Sequence, residues 1–285
     1  MRMGQRSRTA AHNTLIYLLL AGLGVLWTLP ICYLIYTAFR VTPSTGIINT
    51  LIPENLQLGW GNFRRLIEET AFATWLKNTI VVSVSSCLIT TAFILMVSYA
   101  LSRLRFKMRK PIINLLLILG MFPGFMSMIA VYFILKAMGL TNSLIALILV
   151  YSGSAALSYY ICKGFFDTVP KSLEEAAVLE GANRPTVFLK VILPLSKPII
   201  VYTVLTSFIA PWCDFIFVNT IISEREKYTV SLGLYKLINA EKNSFNENFT
   251  VFAAGSVIVG VIIVTLFMSM QRYYVEGVTS GAVKG

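Results

Sequence analysis

The chain is 285 residues long, 56% apolar and only 13% charged, with a mean hydropathy of +0.73. A water-soluble domain is about 45–50% apolar and about 25% charged; this chain has too little polar surface to coat a globule in water, and lipid is the fitting solvent. The formal net charge of +11 fits either a nucleic-acid ligand or an excess of Lys and Arg on cytoplasmic loops, and the loops decide between them below.

A polar N-terminal tail, 1–14, carries Arg2, Arg6, Arg8 and the single histidine, His12. The first apolar run follows at 15–38. A secretory signal core is about 7–15 residues long and ends at a small-residue cleavage site. This run continues past Pro30 into Tyr36 and reads as a retained span. An external loop at 39–73 is rich in turn formers (Pro43, Gly46, Pro53, Gly59 and Gly61). Runs at 79–101 and 111–135 predict a second and third span, each near the ~20 residues that a helix needs to cross a bilayer. Between them lies a strongly basic loop with Arg103, Arg105, Lys107, Arg109 and Lys110. The third run contains Gly120-Met121-Phe122-Pro123-Gly124. Proline removes a backbone donor and kinks a helix, and irregular backbone at that depth is tolerated where it faces protein or a watery cavity. Pro123 and Gly124 are therefore either a static packing kink or a bend around a pore.

The fourth run, 143–162, leads into a segment of a different kind, Val169 to Pro194. Pro170 suits a first helical turn and Ser172-x-x-Glu175 matches a capping box. Ala176 and Ala177 are strong helix formers with little bulk, Gly181 permits the left-handed conformation that ends a helix, and Pro185 opens a second one. Phe188, Val191 and Ile192 share a face until Pro194 stops it. The pattern predicts a helical hairpin whose first arm is about 18 Å long. Small residues between acids suit a groove on another protein, and an interfacial connector between two spans fits the same pattern.

The fifth run, 198–222, holds Pro211 and Asp214, the one acid well inside a span. An intramembrane acid faces a bundle interior or cavity as a rule, so Asp214 is either an acceptor for substrate hydroxyls or a structural contact near the outer mouth. Trp212, Phe215 and Phe217 beside it suit a sugar face and an interface belt equally. A polar external segment at 223–248 includes Asn243, Ser244, Phe245 and Asn246. The sixth run is 249–270, and a tail at 272–285 ends the sequence.

With the N-terminus inside, segments 1–14, 102–111, 163–197 and 271–285 hold 15 Lys and Arg against 5 acids, while the external segments hold 9 against 7. That asymmetry predicts six transmembrane helices with both termini cytoplasmic, and it accounts for the basicity without nucleic acid. Cys32, Cys87, Cys162 and Cys213 lie in apolar stretches without C-x-x-C spacing, so neither a metal site nor a cofactor is expected.

The hairpin resembles the EAA loop of ABC-importer permeases: Glu175-Ala176-Ala177, three residues, Gly181, nine residues, then Val191-Ile192-Leu193-Pro194. Val191 stands where that family has Ile, and Glu180 where many members have Asp. The resemblance runs from about Phe72 to the end, and the stretches Ala210–Phe217 and Gly277–Gly285 are similar to the smaller membrane subunit of maltose-type importers. It implies an all-α type I importer permease (MetI-like) fold with a core at 74–271 and a coupling loop at about 164–196. It further implies residence in the bacterial cytoplasmic (inner) membrane. The implied partners are a homologous second permease, two ATPase subunits and an extracytoplasmic solute-binding protein. By the same resemblance Glu175, Ala176, Ala177, Gly181, Val191, Leu193 and Pro194 would couple to the ATPase, Thr279, Ser280, Gly281 and Lys284 would touch it from the tail, and Asn243 to Asn246 would meet the binding protein. Asp214, Phe215, Pro123 and Gly124 remain candidates for the substrate path.

The chain lacks the G-x-x-x-x-G-K-[ST] phosphate cradle and, with one histidine, a Ser/His/Asp set. Its expected role is a transport subunit, not an enzyme, driven by a partner's ATP hydrolysis. A secondary transporter would carry more spans and several buried charges; a permease for a non-sugar solute is the nearer alternative.

Overall fold

The computed structural model describes residues 2–41, 57–122, 124–240 and 244–282. Among these residues every regular element is helical, save one isolated antiparallel bridge between Arg40 and Leu58. The chain starts with α1 (Arg2–Phe39) and α2 (Gly61–Glu69), then α3 (Phe72–Arg103), α4 (Arg109–Met121), α5 (Gly124–Ala137), α6 (Leu144–Gly153) and α7 (Ala156–Thr168). Next come α8 (Lys171–Leu179), α9 (Arg184–Val187), a π turn at Phe188–Ile192 and α10 (Leu193–Leu195). The order closes with α11 (Lys197–Cys213), α12 (Ile216–Ile221), a 3-10 turn at Arg225–Lys227, α13 (Val230–Asn239) and α14 (Ser244–Ala282).

Among the described residues, three helices are long and apolar enough to cross a membrane: His12–Phe39, Phe72–Arg103 and Asn248–Arg272. The other three expected spans are not continuous helices. The fourth is α6 and α7, bent by 42° at Ser154 and Ala155, beside Gly153. The third is α4 and α5, which flank Pro123; Pro123 itself lies outside the described residues. The fifth breaks at Asp214, whose extended backbone (φ −94°, ψ 106°) separates α11 from α12. Its other end turns by 84° from the Arg184–Leu195 segment into Lys197–Cys213. Hydropathy registers these six runs but not their breaks.

The chain divides into two compact units. The first comprises 1–70 and 237–260. Here Asn62 Nδ2 donates to Ala38 O at 3.0 Å and Arg40 O at 2.8 Å, closing the carbonyl end of α1 onto α2. Phe39, Trp60 and Phe63 gather around that joint, with centroids 4.9–5.2 Å apart. The most apolar window of α1 has no buried residue, which suits a helix dissolved in lipid.

The second unit, 71–236 with 261–285, is organised by α3. Lipid tails are as apolar as leucine, so helices associate in a bilayer through close approach of small residues and interhelical hydrogen bonds. The buried face of α3 has that composition: Thr79, Ser83, Ser86, Cys87, Thr90 and Ser98. Ser98 Oγ donates to Tyr159 O at 2.9 Å, and Thr90 Oγ1 to Tyr151 O at 3.4 Å. Each such bond is worth about 0.6 kcal/mol in a bilayer. One apolar cluster (Val82, Leu147, Phe217, Val218 and Leu232 among others) surrounds the N-terminal half of α3. A second, with Ile94, Tyr99, Phe166, Val187 and Ile192, surrounds its C-terminal half. At 32 residues α3 is about 48 Å long, enough to join both ends of this unit.

Candidate functional site: a hairpin and a cavity

The segment 170–196 folds as two short arms. Pro170 is the N-cap of α8 and no side chain caps that end. The expected capping box is therefore not formed: Ser172 lies too far into the helix, because Pro170 already starts it. The C-terminal end matches expectation. Gly181 has φ +89°, its N–H bonds Val178 O at 2.9 Å, and Ala182 N–H bonds Ala177 O at 2.9 Å. These are the two bonds of a Schellman motif, which a left-handed glycine permits. Asn183 caps the next arm, its Oδ1 accepting from Thr186 N–H at 3.0 Å, with Pro185 in the first turn.

Pro194 does not stop the second arm. Helix continues through Leu195 to Ser196, beyond the π turn in which Leu193 N–H bonds Phe188 O. A proline ring collides with the carbonyl four residues back in a regular helix, and the wider π turn just before Pro194 relieves that clash. Val187, Ile192 and Ser196 are buried; Phe188, Val191 and Leu193 are half-buried, and Pro194 is exposed.

The two adjacent acids of α8 have opposite fates. Glu175 is exposed. Glu174 is buried, its Oε1 2.6 Å from Arg103 Nε, with the two side chains 8% and 3% exposed. The Nε–H is not aligned with that oxygen, so the contact is coulombic more than a formed hydrogen bond. Arg103 Nη2 donates instead to Phe166 O and Val169 O, both at 2.7 Å. One guanidinium thus joins the end of α3 to α7 and α8. Beside it Ser102 Oγ donates to Asp167 Oδ1 at 2.6 Å, and Lys163 pairs with Asp167. A cleft of about 460 Å³ opens here, lined by Arg103, Arg105, Lys171, Glu174, Glu175 and Arg184 among others.

Along α8, Leu173, Ala176 and Leu179 are exposed at three-residue spacing, Leu179 at 88%. Residues so spaced are neighbours on a helix. Ala177, by contrast, packs into the apolar cluster around Tyr99 and Phe166. The alanine pair is therefore split: one faces solvent and the other the hairpin's own core.

A cavity of about 600 Å³ lies between α4–α7 and the α11–α12 break, lined mainly by apolar groups and by Gly120, Gly124, Ser127, Tyr151, Asp214 and Phe217 among others. Asp214 holds three partners: Oδ2 accepts from Tyr151 OH at 3.0 Å, Oδ1 from Phe217 N–H at 2.9 Å, and its carbonyl from Ser231 Oγ at 2.8 Å. Asp214 and Gly124 thus reach one cavity, whereas Phe215 stacks on Tyr235 with centroids 4.5 Å apart. Ser244, Phe245 and Asn246 fall in the first turn of α14, and Thr279, Ser280 and Gly281 near its end; Asn243 and Lys284 lie outside the described residues.

The family model described as "Binding-protein-dependent transport system inner membrane component" matches residues 91–279. The chain belongs to this family of inner-membrane transport components. Among its relatives, the maltodextrin transport system permease protein MalD of Streptococcus pneumoniae is 32% identical over 96% of each chain. The galactooligosaccharides transport system permease protein GanQ of Bacillus subtilis is 32% identical over 94% of each. The diacetylchitobiose uptake system permease protein DasC of Streptomyces coelicolor is 32% identical over 90% of this chain and 91% of its own. A chain of a solved bacterial ABC transporter involved in the import of alginate superposes with a TM-score of 0.79 over 92% of this chain and 96% of its own, at 21% identity; the fold is shared.

Proposed function

We propose that this chain is the permease subunit of an ATP-binding-cassette importer and forms half of the translocation pore for a sugar or oligosaccharide. The observation that carries the reading is near-full-length similarity to three permeases whose names all specify an oligosaccharide. In this reading the chain crosses the membrane six times with both termini inside, each bent helix pair serving as one crossing; the excess of Lys and Arg on the inner segments supports that orientation. The hairpin then faces the cytoplasm as the EAA loop, and α8 docks in a groove of an ATPase subunit.

The exposed row Leu173, Ala176 and Leu179, with Glu175 beside it, supplies an apolar ridge and a charge for such a groove. Gly181 fixes the angle between the arms. Val191, Leu193 and Pro194 sit where the second arm turns into α11, so a push on the hairpin reaches a membrane helix directly. A second permease, two ATPase subunits and a solute-binding protein complete the assembly. Thr279 to Lys284 are assigned to the ATPase side and Asn243 to Asn246 to the binding protein. Asp214 serves the cavity wall structurally, its carboxylate oxygens being engaged within the protein.

The test is purification from native membranes. An ATPase chain is expected to accompany this chain, and Glu175→Ala to weaken that association while the variant still inserts. A preparation that transports solute with no ATPase subunit would refute the reading.

A further inference from the structure

Taking two charges out of water costs about as much as, or more than, their mutual attraction recovers, so the buried pair of Arg103 and Glu174 calls for a reason. Docking of α8 does not need Glu174, whose side chain faces Arg103 and not the surface. Its carboxylate ties α8 to the last residue of α3, and the same guanidinium holds two carbonyls at the end of α7. At the opposite end of α3 a second set of ties appears. Trp75 Nε1 donates to Arg225 O at 3.2 Å, and Asn78 Nδ2 donates to Glu226 O at 2.7 Å and Tyr228 O at 3.0 Å. Thr79 Oγ1 accepts from Val230 N–H at 2.8 Å. One continuous helix is thus pinned at one end to the hairpin and at the other to the 225–230 turn, with buried groups at both joints.

We infer that Arg103 and Glu174 are positioning residues that latch the coupling helix to α3, making α3 the strut that carries movement of α8 to the 225–230 segment. The inference rests on the importer reading. A buried pair resists separation because parting it leaves two uncompensated charges; α8 therefore cannot tilt without taking the end of α3 with it. The joints at Trp75, Asn78 and Thr79 then deliver that movement to the 225–230 segment, about 36–42 Å from Arg103 along the helix.

The experiment uses the whole reconstituted complex and reads solute transported per ATP hydrolysed, with Glu174→Gln, which keeps the side chain's size and removes its charge. The expected result is a ratio lowered about tenfold, the scale on which coupling residues act. Transport and hydrolysis falling in proportion, at an unchanged ratio, would mark a joint that only holds the fold and would overturn the inference. A second measurement needs no change to the latch. Spin labels at Met96, exposed on α3, and Lys171, at the start of α8, should give the same distance distribution in nucleotide-free and nucleotide-trapped complexes. A shifted distribution means that α8 moves independently of α3 and overturns the inference. An ATPase subunit absent from the wild-type complex would instead defeat the importer reading itself.

Discussion

The indole of Trp75 lies directly on Gly233: a Cβ placed on that glycine would fall well inside contact distance of three ring carbons. No side chain fits, so α13 approaches α3 as closely as a backbone can. Gly233→Ala forces one helix or the ring to move, and overpacking of this kind costs about 1–3 kcal/mol. The expected outcome is a lower unfolding temperature of the purified protein, partly restored by adding Trp75→Leu. A wild-type melting temperature in the single variant would contradict the packing described here.

Gly181 tests the hairpin's turn. Its φ of +89° is a conformation that costs an L-residue about 1–2 kcal/mol, and asparagine tolerates it best among them. ATPase association is expected to fall from the wild type through Gly181→Asn and Gly181→Ala to Gly181→Val. If the Gly181→Val chain associates as well as the wild type, the Schellman turn is not what sets the hairpin.

Asp214 closes the break between α11 and α12. Asp214→Ala leaves Tyr151 OH and Phe217 N–H without the carboxylate acceptors they now have; both bonds are half-buried at the cavity wall, so each loss costs at most about 1–3 kcal/mol. Asp214→Asn retains one carbonyl acceptor and is expected to fall between alanine and wild type in thermal stability. Combining each with Tyr151→Phe should give a non-additive cycle. Strict additivity would mean that the two side chains do not interact.

Much of the hairpin is legible in the sequence because its signals are local. Gly181 ends an arm by backbone freedom alone, and Pro185 begins one through its fixed φ. Asn183 carries a signal of the same local kind, an N-cap three residues before Thr186, which the prolines overshadow. The capping box misleads because its spacing is satisfied inside a helix already started by Pro170. What the sequence does not disclose is which of Glu174 and Glu175 turns inward. That choice is made by Arg103, 71 positions away, and no periodicity in a nine-residue helix encodes it. The cavity wall has the same character: Tyr151 and Asp214 are 63 residues apart in the chain. Hydropathy locates the spans, yet it averages over windows longer than the breaks at Ser154 and Asp214, so these appear as continuous apolar runs.

The split of the alanine pair gives a control within the hairpin. Ala177→Trp is expected to disrupt the protein's own core and lower its stability. Ala176→Trp puts the same bulk on an exposed position and should leave folding near wild type. Equal destabilisation by both would contradict the burial pattern of α8.

The most direct measurement is the amount of ATPase subunit that co-purifies from membranes with the Ala176→Trp chain, taken with its transport rate. The account predicts a correctly inserted, stable chain that has lost the ATPase and the transport together. Full ATPase recovery with undiminished transport would contradict it, since a tryptophan on the docking row could not then enter a groove shaped for an alanine.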